Sequence, residues 1–180
     1  IVESLPKAEK IIFGPDKNLG DYINKITGRS MLLWDGVCHV HEQFSLIRML
    51  DIKKQYPDAL ILAHPECPKY LLEVADHVGS TSSILKFATT SDNKRFIVAT
   101  EAGILHQMQK ENPHKEFIPA PPEDSTCACN ECFYMKMNTL EKLYLCLKNE
   151  RPEILVDEST RLKAVKPIER MLEISAKHGL

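Results

Sequence analysis

The sequence lacks any apolar run approaching the roughly 18 residues that a membrane-spanning helix needs, so no span is expected. It has no basic block, and 23 Lys and Arg against 25 Asp and Glu leave a formal net charge of −2. That balance argues against nucleic acid or an anionic membrane as a partner. The start, IVESLPKAEK, has neither a basic n-region nor an apolar core, so no secretory leader is expected there. Repeats of solenoid period and low-complexity segments are also missing. Six cysteines stand at 38, 67, 127, 129, 132 and 146, too unevenly for an extracellular disulfide framework, and a cytoplasmic chain is expected. Clustered cysteines in such a chain point to metal or redox work. There is no initiator Met, and Ile1 to Phe13 reads like the last turn of a helix running into a strand. The chain is therefore expected to begin partway through a larger protein.

What is present is an ordinary globular composition, 43% hydrophobic over 180 residues, enough for one domain or a domain and a half. Hydrophobic periodicity alternates short strands with helices. Strands are expected at 10–13, 30–34, 59–64, 95–100 and 115–120. Between them lie a helix capped by Asp16 and ended by Gly28, and a helix over 42–56 with Phe44, Ile47, Leu50 and Ile52 near one face. Further helices are expected in PKYLLEVADHV, after Ser80 or Thr81, and in AGILHQMQKE. This order means βαβ units and parallel sheets covered by helices, an α/β fold. After the Pro-rich connector at 119–126 come a cysteine segment, two amphipathic helices and, between them, EILVD as a strand. Cys146, at helical spacing from Leu143 and Leu147, reads as core.

In open α/β sheets ligands bind at the C-terminal ends of the strands. Asp35, Gly36, Cys38 and His41 follow one strand, His64, Glu66 and Cys67 another, and Thr100 and Glu101 a third; Gly79 to Ser82 precede a helix. In AHPECP, His64 and Glu66 leave a strand on alternate positions, stiffened by Pro65 and Pro68, and could share a pocket that moves protons. A plain solvated turn reads equally well. VGSTSS is either an anion-binding helix start or a simple N-cap. Cys129 and Cys132 form a CxxC with Cys127 nearby, open to zinc, an iron–sulfur cluster or a redox disulfide.

The segments GPDKNLGDYI, WDGVCHVHEQF, YPDALILAHPECP, ADHVGSTSSILKF, FIVATEAGILHQMQKENP and CFYMKMNTLEKL, in this order along nearly the whole chain, resemble quinolinate synthase, the iron–sulfur enzyme of NAD (pyridine nucleotide) biosynthesis. The resemblance implies three α/β sandwich domains around a pseudo-threefold axis, with a [4Fe-4S] cluster at the centre and one cysteine from each domain. By it, residues 1–28 end a middle domain, 29–120 form a third, and 121–180 carry the last cysteine and helices that pack on a first domain absent from this chain.

Cys38 and Cys132 match two cluster ligands, whereas Cys67, Cys127 and Cys129 fall where the pattern needs none. His41, His64 and Glu66 match the acid–base residues. His64, Pro65, Glu66, Ser80 and Thr81 match substrate contacts, and His39 is expected to point away. The implied reaction is a transferase-type condensation of iminoaspartate with dihydroxyacetone phosphate, with a functional link to an upstream L-aspartate oxidase. This chain alone should lack full activity and hold the cluster poorly, and faces meant for the first domain should favour aggregation. Two other readings stand beside it: a zinc-stabilised interaction module built on Cys127, Cys129 and Cys132, and a thiol–disulfide protein using Cys129 and Cys132.

Overall fold

A computed structural model describes residues 1–124 and 130–179, in two compact units: residues 11–136, and residues 1–10 with 137–180. The first unit opens with a small βαβ motif. Strand β1 (Ile12–Phe13) pairs in parallel with β2 (Leu32–Leu33), and α1 (Lys17–Thr27) joins them. Asp16 caps α1 by accepting from the Leu19 N–H at 2.8 Å, and Gly28 ends it in the left-handed region at φ 67°. Gly20 lies on the face of α1 that meets the strands. A Cβ there would stand 2.5 Å from Leu33 Cδ2, so glycine lets the helix lie close.

A four-stranded parallel sheet forms the rest of this unit. Its strands are β3 (Leu60–Ala63), β4 (His77–Val78), β5 (Arg95–Ala99) and β6 (Glu116–Pro119), in spatial order β4-β3-β5-β6. Ile61 and Ala63 of β3 stand in register with Ile97 and Ala99 of β5. Those four side chains pack on one face with Met49 of α2 (Leu46–Gln55) and Leu71 of α3 (Lys69–Leu72). The alternate residues Leu62, Phe96 and Val98 pack on the other face with Ile84 and Ala88 of α4 (Thr81–Thr90) and Met108 of α5 (Ile104–Glu111). Burial on both faces is why β3 and β5 read as continuous apolar runs rather than alternating ones. Each large side chain so buried contributes about 1.5–3 kcal/mol. From β3 the chain turns outward to β4, then crosses back to β5 and continues to β6. The C-terminal ends of β3 and β5 therefore flank the point where strand order reverses, the crevice where such sheets bind ligands.

Four local expectations are corrected. The helix expected over 42–56 starts only at Leu46, because Ser45 caps it; Phe44 is buried ahead of it and Ile47 faces solvent. PKYLLEVADHV holds a single helical turn and then β4, whose two residues carry no readable period. The stretch after Cys132 splits into α6 (Phe133–Lys136) and α7 (Leu140–Asn149), with Thr139 capping the second. EILVD forms no strand among the described residues: Ile154, Leu155 and Val156 are exposed and pair with no neighbour.

The second unit contains α7 and α8 (Glu158–His178), the latter capped by Asp157 and ended by Gly179. Cys146 on α7 is exposed, not core, as are Leu143 and Leu147. Helical spacing identifies an apolar face but not what covers it. No described helix is long and apolar enough to cross a membrane.

Candidate metal and substrate site

Three chain segments are brought to the crevice by backbone bonds that their sequences make available. Beyond β3, the His64 N–H donates to the Ala99 carbonyl at 3.0 Å and extends the ladder by one residue. A tight turn follows, closed by the Cys67 N–H donating to the His64 carbonyl at 2.9 Å, with Pro65 buried inside it. Cys67 anchors the turn from beneath. Its thiol is buried, donates to the Ala99 carbonyl at 3.4 Å, and is pushed up by burial to about 12, so it is inert. Beyond β2, the Cys38 carbonyl accepts from the Glu42 N–H at 3.0 Å, and a single helical turn over His41–Gln43 carries His41 inward. Beyond β5 stands Thr100, buried beside it.

The centre is Cys38, His41 and Glu66, whose ligand atoms lie within 4.8 Å of one another. His41 is 6% exposed, and its ring is held at one edge and one face. Its Nε2 is hydrogen-bonded to Thr100 Oγ1 at 3.0 Å, and its face stacks on His64 with centroids 4.6 Å apart. Nδ1 lies 3.0 Å from Glu66 Oε2 but off the line of a hydrogen bond, so this buried nitrogen has no directed partner. Burial opposes charge on His41, but the Cys38 sulfur and the Glu66 carboxylate outweigh it and hold the ring at about 9. The reciprocal effects follow. His41 lowers the Cys38 thiol and the Glu66 carboxyl below their ordinary values. His64 is pushed down by its own burial and by the charge on its stacked neighbour.

These residues open on a cavity of about 600 Å³, also lined by Thr81, Thr100, Glu101 and Cys132. The cavity thus brings together Cys38, His41, His64, Glu66, Thr100 and Glu101 from strand ends, Thr81 from a helix start, and Cys132, which the resemblance singles out and the strand-end rule does not. Other expected residues stand elsewhere. Ser80 caps α4 by accepting from the Ser83 N–H at 3.3 Å, and Pro65 stiffens the turn rather than lining the cavity. Asp35 pairs with Lys17 at 2.7 Å, and His39 is exposed and packs edge-on to Tyr134, away from the centre. Cys127 and Cys129 lie outside the described residues.

Three supporting contacts were not readable from the sequence. Asp16, already the cap of α1, turns its second oxygen to accept from the Cys38 N–H at 2.8 Å. Asn18 donates from Nδ2 to the Glu66 carbonyl at 3.1 Å and to Glu42 at 2.9 Å. Glu101 accepts from the Cys132 N–H at 3.2 Å and from the Gly103 N–H at 2.7 Å. Only the PDKN run hinted at the first two, and there it signals nothing beyond a helix cap.

Two half-buried thiols and a partnerless buried imidazole nitrogen form a soft donor set, suited to iron or zinc rather than to magnesium or calcium. Fold and site together define an α/β protein with a cluster of potential metal ligands at the switch point of a parallel sheet.

Comparison with known proteins is specific. The family model for quinolinate synthetase A protein matches residues 1–173. The quinolinate synthase of Chloroherpeton thalassium is 57% identical over 175 residues, 97% of this chain and 54% of the relative. Those of a Synechococcus strain and of Thermosynechococcus vestitus are each 55% identical, over 98% and 97% of this chain and 55% of each relative. The chain belongs to the quinolinate synthase family, and it spans about half the length of the curated relatives it matches.

Proposed function

We propose that this chain contributes the cavity-bearing part of a quinolinate synthase, which condenses iminoaspartate with dihydroxyacetone phosphate, releasing phosphate and two waters as the pyridine ring closes. In this reading residues 1–28 close a middle α/β domain, 29–120 form a third and 121–180 return toward a first, around a pseudo-threefold axis. Cys38 and Cys132 would hold a [4Fe-4S] cluster together with a thiolate from the first domain. Bound there, the cluster would supply an open iron acting as a Lewis acid.

The chain's own residues supply the proton chemistry. Two stacked imidazoles whose pKa values are pushed apart are suited to opposite tasks. His41, charged and held by Thr100, donates a proton at Nδ1, while neutral His64 accepts one on a ring nitrogen. Glu66 Oε2, in contact with His41 at 3.0 Å, takes protons from carbon or nitrogen in the dehydration steps. Thr81 at the start of α4 presents its hydroxyl to a substrate carboxylate or phosphate, and Ser80 and Pro65 hold the local backbone. Iminoaspartate hydrolyses readily, so a nearby amino-acid-oxidising enzyme such as L-aspartate oxidase is the expected supplier, in the cytoplasm.

The observation that supports this reading best is the meeting of Cys38, His41 and Glu66 within 4.8 Å, beside Cys132 on the same cavity, in a chain of this family. The test is Glu66→Gln in a protein of the relatives' full length carrying this sequence, reconstituted anaerobically with iron and sulfide. The cluster absorbance should be retained while quinolinate formation falls by about 10²–10⁴-fold. A fully active variant would remove Glu66 from the chemistry.

A further inference from the structure

We propose that Cys38, His41 and Glu66 form a mononuclear site for one divalent ion of the zinc type, occupied in the cluster-free protein and exclusive of the cluster. The exclusivity rests on the reading of Cys38 as a cluster ligand; the ion site itself does not. Donor atoms on one tetrahedral zinc stand about 3.3–3.8 Å apart at bond lengths of roughly 2.0–2.3 Å. The three atoms here already lie within 4.8 Å, so closing on an ion takes a movement of about 1 Å from the two partly exposed side chains. His41 need not move. Its Nε2 is tied to Thr100, which leaves Nδ1 buried, without a hydrogen bond, 3.0 Å from the Glu66 carboxylate and within 4.8 Å of the Cys38 sulfur.

This is the usual build of a metal-binding histidine, with the second nitrogen fixed by an outer partner. The backbones of the other two ligands are also fixed: Asp16 accepts from the Cys38 N–H, and Asn18 donates to the Glu66 carbonyl. A thiolate, a carboxylate and a neutral imidazole balance a 2+ ion, with the displaced protons passing to the buffer. The cavity leaves a fourth position for water. Cys132 is not part of this group, so the ion set and the cluster set share one residue and differ in the others.

The probe is Co²⁺, titrated anaerobically into cluster-free protein of full length. Tetrahedral binding with one thiolate should give a sulfur-to-cobalt charge-transfer band and intense visible bands, saturating at one ion per chain and abolished by one equivalent of Zn²⁺. Cys38→Ser should remove the charge-transfer band, and His41→Gln should weaken binding at least tenfold, with circular dichroism confirming that both fold. Cys132→Ala should leave the cobalt spectrum intact while losing the cluster. Zinc loading should block reconstitution with iron and sulfide until a chelator is added. A spectrum that survives Cys38→Ser but disappears with Cys132→Ala would place the ion on the CxxC segment and overturn the proposal, as would the absence of a cobalt–thiolate band. Normal cobalt binding in a protein that never assembles a cluster would instead sink the cluster reading and leave the ion site standing.

Discussion

Asp16 is the residue whose replacement separates local from long-range effects most sharply. One carboxylate oxygen caps α1 through the Leu19 N–H and the other holds the Cys38 N–H, each at 2.8 Å. Asp16→Ala removes both acceptors. Loss of the cap costs about 1 kcal/mol. The Cys38 amide, left without its acceptor in a part-buried site, adds about 1–3 kcal/mol. A total near 2–4 kcal/mol would be a large share of the stability of a small domain.

Asp16→Asn is more informative. Asparagine is an equally good cap, so its one oxygen can keep the Leu19 bond. Its amide group then faces the Cys38 N–H donor to donor, which costs about 1–3 kcal/mol and shifts the loop that carries Cys38. Urea unfolding followed by circular dichroism reads the stability, and the rate of metal loss to a chelator reads the loop. The expected outcome is an intermediate midpoint for Asp16→Asn with an unchanged urea dependence, and metal release faster than in the unsubstituted protein. An Asp16→Asn variant with unchanged midpoint and unchanged release would refute the claim that this carboxylate positions Cys38.

In a protein of the relatives' full length carrying this sequence, Cys132→Ala should abolish cluster absorbance whereas Cys127→Ala should leave it, and equal loss in both would sink the ligand assignment. In cluster-free native protein, peptide mapping after iodoacetamide should show Cys38 modified and Cys67 untouched, because His41 favours the Cys38 thiolate while burial keeps Cys67 protonated at about 12. Lowering the pH below the ordinary thiol value of 9.0 should slow Cys38 less than a free thiol. Modification of Cys67 at a rate similar to Cys38 would show that the turn after β3 opens.

Local chemistry was the legible part of this fold. Asp16 and Gly28 bound α1 as a cap and a left-handed stop, which depends on neighbours a few residues away. Parallel pairing was legible too, because strands buried on both faces leave uninterrupted apolar runs. What failed were inferences that need a distant partner. Ile154 to Val156 is as apolar as β3, yet it pairs with no described strand, and the helical spacing of Cys146 does not say what its face meets. A period that puts Ile47 inward runs through Ser45, whose hydroxyl starts the helix and leaves Ile47 exposed.

The site followed the same division. Strand ends located Cys38, His41, His64, Glu66 and Thr100, but the Asp16 and Asn18 contacts arise from tertiary placement. Thr100 was visible as a strand end; its bond to His41, across 59 positions of sequence, was not.

Among the described residues, β3 to β6 and α2 to α5 lie between Cys38 and Cys132 along the chain. A CxxC pair can trap metal on an unfolded ribosomal product; Cys38 and Cys132 have no such local link to each other and share a cavity only in the folded unit. Parallel pairing across crossover helices is slow to close, so in the proposed reading a metal held by both thiols would load last in maturation rather than nucleate it. An ion that binds only the finished sheet then favours it by about 2.7 kcal/mol at a hundredfold excess over Kd. Under the proposed reading, folding of the sheet would accordingly come before loading, and a shortage of metal would delay the second step and not the first.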